Sequence, residues 1–159
     1  MEGSLSGKTI IAFSAFFAAY TFVPIAAQAA EMKNLIKYEI MDDSSIPLSL
    51  TGKRGDPVNG RKVVIHRKKG NCLACHVMPI EEQPYHGQVG PDLIGVGSRY
   101  NKGEIRLLIV NAKKINEDTI MPAFYKNEGF NRIRKKFKGK TILSAQEVED
   151  VVAYLMTLK

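Results

Sequence analysis

The stretch Cys72-Leu73-Ala74-Cys75-His76 constrains this chain more than any other. Two cysteines separated by two residues, with histidine immediately after, have the spacing of covalent c-type haem attachment. On one helical turn both thiols face the same way and can add across the two vinyl groups of one porphyrin. His76 follows directly, so its imidazole reaches the iron from the proximal side. Gly70 lets the backbone turn sharply into that helix. These are the only two cysteines in the chain, so a haem leaves no orphan thiol. A zinc site requires two more ligands at finger-like spacing, and the sequence has no second cysteine pair and no His-x-x-x-His. A thioredoxin-type dithiol requires a strand-then-helix setting, in which His76 would be incidental.

The chain has 159 residues, 45% of them hydrophobic and 25% charged, which suits one small globular domain. The first 29 residues read differently. Lys8 precedes an apolar run from Ile10 to Val23, then come Pro24 and Ala27-Gln28-Ala29. That is a secretory signal with an A-x-A cleavage site. An uncleaved membrane anchor is the alternative, since the run is just long enough; Pro24 and the clean Ala-Gln-Ala favour cleavage. Export agrees with c-type haem, because thioether attachment takes place outside the bacterial cytoplasm. The expected location is the periplasm.

Residues 30–55 show little periodicity, and Asp42-Asp43-Ser44-Ser45 with Pro47 reads as loop. An extended arm lying on the domain or on a partner is expected there, with the domain itself at 56–159. Asp56 as N-cap and Pro57 at the first helical position open a helix. Val63, Val64 and Ile65 give it an apolar side, Arg67, Lys68 and Lys69 sit in its last turn, and Gly70 closes it. After the cysteine motif, 79–97 is rich in proline and glycine and is expected to wrap the haem edge. Asn101 starts a further helix with Glu104 as its capping-box partner, and Ile105, Leu108, Ile109 and Ala112 line one face. The last helix is capped by Ser144 with Glu147, and Val148, Val151, Val152, Leu155 and Leu158 form its stripe.

A haem iron held by His76 needs a sixth partner or an open position for chemistry. Methionine opposite histidine suits electron transfer, because thioether sulfur favours reduced iron. Met78 is two residues past His76, a span of about 7 Å at most, too short to pass around a porphyrin edge. Met156 belongs with the last helix, and Met32 and Met41 lie in the irregular arm. Met121, on a loop stiffened by Pro122, is the candidate. His86 is a second possibility, although its Tyr-His-Gly-Gln setting reads as a polar turn. The proximal imidazole also needs an acceptor for its other N–H, and the Gly90-Pro91 turn is well placed to offer a carbonyl.

The formal charge is +7, and residues 126–140 carry seven Lys and Arg against Glu128, a net of +6. A flexible loop or a short hairpin fits this stretch. Nucleic-acid binding is rejected, since Phe130 and Phe137 are present without a recognisable binding motif.

With Cys72-x-x-Cys75-His76, Gly90-Pro91-Asp92-Leu93, Met121-Pro122 and a closing amphipathic helix in that order, the chain resembles class I cytochromes c. Within them, Ile46-Pro47-Leu48-Ser49-Leu50-Thr51-Gly52, Arg99-Tyr100, Thr119-Ile120-Met121-Pro122-Ala123-Phe124-Tyr125 and the run from Ile142 to Leu155 resemble the X subunits of thiosulfate-oxidising Sox systems. The resemblance implies an all-α fold of three to four helices around one covalently bound haem c. Its implied cofactor-binding residues are Cys72, Cys75, His76, Met121 and Pro91, with His76 and Met121 on the iron. It also implies a periplasmic electron-transfer subunit that is not catalytic alone. Such a subunit pairs with a haem-bearing SoxA-type cytochrome that joins thiosulfate to a cysteine of a sulfur-carrier protein, and passes electrons to a small acceptor cytochrome c. A free cytochrome shuttle serving a terminal oxidase is the competing expectation. A haem enzyme or gas sensor would need a vacant sixth position, against which Met121-Pro122 argues.

Overall fold

Side chains able to cap a helix stand where three of the four α-helices begin. A computed structural model describes residues 35–159; the expected signal at 1–29 and the first positions of the arm lie outside the described residues. Helix α1 (Pro57–Ile65) opens with the Asp56 carboxylate accepting the Val58 N–H at 2.8 Å. Pro57 sits where a missing N–H costs no hydrogen bond. Helix α2 (Val96–Arg99) is a single turn. Helices α3 (Lys102–Asn111) and α4 (Ala145–Leu155) each carry a complete capping box, Asn101 with Glu104 and Ser144 with Glu147. Among the described residues no strand forms beyond an isolated bridge between Met41 and Ser45. The fold is all-α, and no helix of the described residues is long and apolar enough to cross a membrane.

The other elements assemble on α4. Its apolar residues Val148, Val151, Val152 and Leu155 are buried, with Leu158 joining them just past its end. Its carboxylates are buried as well, and each tethers a different part of the chain. Asp150 accepts from the Asp56 N–H at 2.8 Å and from Asn59 Nδ2 at 2.6 Å, which fixes the start of α1. Glu149 takes the Arg106 guanidinium of α3 in a fork, Nε to Oε1 at 2.8 Å and Nη2 to Oε2 at 2.9 Å. The same carboxylate accepts the Leu50 N–H at 2.9 Å. Removing one partner of so buried a pair leaves an uncompensated charge, at a cost of about 3–5 kcal/mol. Glu147 pairs with Lys69, in the turn that leads to the cysteines.

Helix α1 crosses α4 at Gly60. A Cβ there would lie 1.9 Å from the Asp150 carbonyl oxygen and 2.9 Å from Tyr154 Cβ, so the two backbones meet only because position 60 has no side chain. The arm closes over α3 and α4. The Ile46 N–H donates to the Gly103 carbonyl at 3.0 Å, Arg106 Nη1 donates to the Ile46 carbonyl at 2.5 Å, and Ile46 and Leu50 are buried. Further upstream, the Ile36 N–H donates to the Tyr125 hydroxyl at 3.0 Å.

Two local expectations are corrected, and a third, open between loop and hairpin, is decided. Helix α1 stops at Ile65 rather than running through Lys69; His66 is its C-cap and 67–70 form a turn. In α3 the arm and α4 cover more than one face, so Leu107 and Val110 are fully buried while Leu108 is only partly so. The basic stretch is a loop with one 3-10 turn, Lys135–Phe137, and no hairpin.

Candidate functional site

The two cysteines stand on a 3-10 turn, Cys72–Ala74, rather than on an α-helical one. Cys72 is its anchor: its carbonyl accepts the N–H of Cys75 at 3.1 Å and of His76 at 2.9 Å. The sharp entry expected of Gly70 is made by Asn71, whose φ of 49° is left-handed, a conformation that asparagine tolerates better than most residues. Leu73 points into the core, while Cys72 and Cys75 are half-buried and free of each other. As a free thiol, Cys72 is pushed up to about 12 by burial.

Alongside this turn runs the segment 87–93, joined to it by three backbone hydrogen bonds. The N–H groups of Gly87, Gly90 and Leu93 donate to the carbonyls of Leu73, Cys75 and Val77 at 2.8, 2.8 and 3.0 Å. The last two bracket His76. Its ring lies directly over Gly90, where a Cβ would stand 2.4 Å from Cε1 and 2.7 Å from Nδ1. Position 90 is therefore a seat for the imidazole that only glycine leaves open. His76 Nδ1 lies 2.6 Å from the Pro91 carbonyl oxygen. A carbonyl can only accept, so this contact puts the ring proton on Nδ1 and leaves the Nε2 lone pair for a metal.

Met121 is held differently. Its N–H donates to Thr119 Oγ1 at 3.2 Å, and its side chain packs half-buried on the core that also receives Cys72 and Leu93. Before it, Lys113 Nζ donates to the carbonyls of Glu117 and Thr119 at 2.8 and 2.6 Å. After it, the N–H groups of Phe124 and Tyr125 donate to the Ile109 and Val110 carbonyls at the end of α3. Met78, two residues past His76, is buried in the core.

His86 sits on the flank of the attachment turn. Its Nδ1 accepts the Met78 N–H at 3.3 Å, and the next residue, Gly87, bonds to Leu73. Its Nε2 is buried without a hydrogen-bond partner. Arg99 is a positioning residue that periodicity and spacing do not single out. Its guanidinium donates to the Asp92 and Ile94 carbonyls, both at 2.6 Å, and so clamps the turn that carries Pro91. Its adjacency to Tyr100 in a shared motif is the one sequence signal for it.

The surroundings fit a flat apolar group. Val89 and Ile94 flank Pro91, Ile120 precedes Met121, and all three are exposed, Ile120 by 77%. Apolar side chains on both segments are thus left exposed, which suits the approach of a flat apolar group. Two thiols on one turn, a histidine with a free Nε2 and a half-buried thioether supply the donors such a group requires.

The sequence profile of the Cytochrome c family matches residues 58–159, which include every residue named above from the attachment turn to α4. A chain of the SoxXA crystal structure from P. pantotrophus is similar at 39% identity. The match covers 76% of this chain and 93% of that one, with a TM-score of 0.69. Among curated protein sequences none matches significantly.

Proposed function

Because the chain belongs to the cytochrome c family, as a cytochrome of the SoxX type, we propose that it is the one-haem, electron-accepting subunit of a two-cytochrome complex that oxidises thiosulfate. The likeness to a chain of SoxXA over nearly that chain's whole length is the observation that carries this reading. Cys72 and Cys75 form the two thioethers to haem c, and His76 is the proximal ligand, its Nδ1 proton held by the Pro91 carbonyl. Met121 is the ligand from the other side. Met78 is committed to the core, and His86 shares the flank of the attachment turn, which supports Met121 over both.

The bound group supplies a one-electron iron centre whose potential a thioether ligand raises. With a histidine and a methionine on that iron, thiosulfate has no position to occupy. The bond-making step therefore lies on a SoxA-type partner cytochrome, which joins thiosulfate to a cysteine of a sulfur-carrier protein. This chain takes the electrons released and hands them to a small acceptor cytochrome c. We place it in the periplasm, exported by the segment 1–29.

The test is a pull-down of the tagged mature protein from its native periplasm, with mass spectrometry of what accompanies it. Recovery of a second c-type cytochrome carrying an active-site cysteine, with thiosulfate-dependent reduction of this chain only in its presence, is the expected result. Recovery as a lone monomer that rapidly reduces a terminal oxidase overturns it in favour of a free shuttle.

A further inference from the structure

Tyr125 is fully buried in an apolar core, yet it carries a hydroxyl into it. A buried tyrosine hydroxyl needs a polar partner, and here one arrives from 89 residues away: the Ile36 N–H donates to the Tyr125 oxygen at 3.0 Å. Tyr125 closes the segment that begins at Thr119 and carries Met121. Its own N–H donates to the Val110 carbonyl at 3.3 Å, and the Phe124 N–H donates to that of Ile109 at 3.1 Å. The segment therefore leans on α3 through its backbone and on the arm through a phenol oxygen. Phenylalanine would serve the packing alone, so the hydroxyl calls for a reason beyond volume.

The arm holds that donor in place. Ile46 is tied to α3 by both its backbone polar groups, its N–H to the Gly103 carbonyl at 3.0 Å and its carbonyl to Arg106 Nη1 at 2.5 Å. Upstream, Met41 and Ser45 exchange two backbone hydrogen bonds, at 2.8 and 3.2 Å, around a tight turn. Asp42 and Asp43 make that turn with left-handed φ of 51° and 52°. Before it, Leu35, Tyr38 and Ile40 are partly buried against the same core on which Met121 packs. The Ile36 side chain is exposed, so what this residue brings to the domain is its N–H.

We propose that Tyr125 is a positioning residue for the second iron ligand, and that the arm braces it through the Ile36 N–H. A small molecule takes the sixth position only after the Met121 thioether leaves it. That departure is easier the more freely the segment 119–125 swings from the core, and the bond from Ile36 to Tyr125 opposes the swing. The inference rests on the reading of Met121 as an iron ligand. Its consequence is that the arm keeps the iron saturated, the state on which a purely electron-carrying role depends.

The probe is imidazole, titrated into the haem-loaded ferric chain and followed by loss of the thioether-to-iron absorption. Its nitrogen replaces the sulfur on an iron that stays ferric, so no electron moves. Ile36→Pro removes the donor N–H and Tyr125→Phe the acceptor, each in the full chain. Each variant should bind imidazole about fivefold more tightly, the worth of one hydrogen bond of this kind. The double variant should bind no more tightly than either single one, because both changes delete the same bond. Asp56→Ala, which removes the cap of α1, should lower stability in denaturant and leave the imidazole affinity unchanged. Unchanged affinity in both single variants overturns the proposal. So does an additive double variant, in which the two residues act separately, or a matching gain in Asp56→Ala, which reduces the effect to general loosening. Met121→Ala separates this proposal from the reading beneath it. An unchanged ferric spectrum there fails the ligand assignment and the brace together, whereas a lost thioether band beside unchanged bond variants fails the brace alone.

Discussion

The segment carrying His76 is laced to its neighbour by three backbone hydrogen bonds and rests on a residue without a Cβ. The segment carrying Met121 is held mainly at its two ends, by Lys113 before it and by the end of α3 after it. One segment holds its ring at two points, over Gly90 and at the Pro91 carbonyl, and the other suspends a flexible thioether against the core. The difference teaches where the protein places its rigidity. The attachment turn is over-determined, whereas the Met121 segment is tied chiefly at its ends.

The sharpest break is Gly90→Ala. Its Cβ would enter the His76 ring at 2.4 Å, and neither the ring nor the laced backbone can yield cheaply. A loss of about 3 kcal/mol is expected in denaturant unfolding of the haem-loaded protein, with a disturbed Soret band. Met121→Ala should cost less stability, about 2 kcal/mol, because the side chain is only half-buried. It should nevertheless abolish the thioether-to-iron absorption at the red end of the ferric spectrum and admit cyanide or carbon monoxide. A stability loss equal to that of Gly90→Ala breaks the comparison, and an unchanged spectrum removes Met121 from the iron and promotes His86.

Arg99→Ala removes two donors from the Asp92 and Ile94 carbonyls. Since the groups are exposed, about 1 kcal/mol is expected. A shifted reduction potential would show that the clamp acts through Pro91 on His76, which an unclamped surface turn would not do.

The smallest effect concerns Cys72 in protein made without haem. Burial raises its thiol to about 12 from the ordinary value of 9.0, so the folded form keeps its proton where the unfolded form loses it. The contribution to stability is whole below pH 9 and is lost as pH rises toward about 12. Alkylation of Cys72 near pH 8.5 should be slow until the chain is unfolded in guanidinium, as followed by mass spectrometry. Equal rates in folded and unfolded protein would mean that the attachment turn is loose before it is loaded.

Much of this was legible in the residues. Asp56-Pro57, Asn101 with Glu104 and Ser144 with Glu147 are local signals, read over three or four positions, and each begins a helix. What local patterns could not show are the long-range partners. Glu149 reads as the polar side of an amphipathic helix, yet it is buried because Arg106 and the Leu50 N–H arrive from 43 and 99 residues away. The run Arg67-Lys68-Lys69 looks like the end of a helix; instead Lys69 leaves it to reach Glu147. The seat under His76 was invisible for the same reason, since a Gly-Pro turn announces a bend but not the ring that will lie on it.

The crossing at Gly60 sets a timetable. It needs Asp150 and Tyr154, so it waits until almost the last residue has been made, while the two cysteines emerge long before. During that interval the thiols travel on an open chain, and afterwards Cys72 is sheltered. An open chain presents both thiols to a porphyrin, and the closing of the first helix on the last ends that exposure for Cys72.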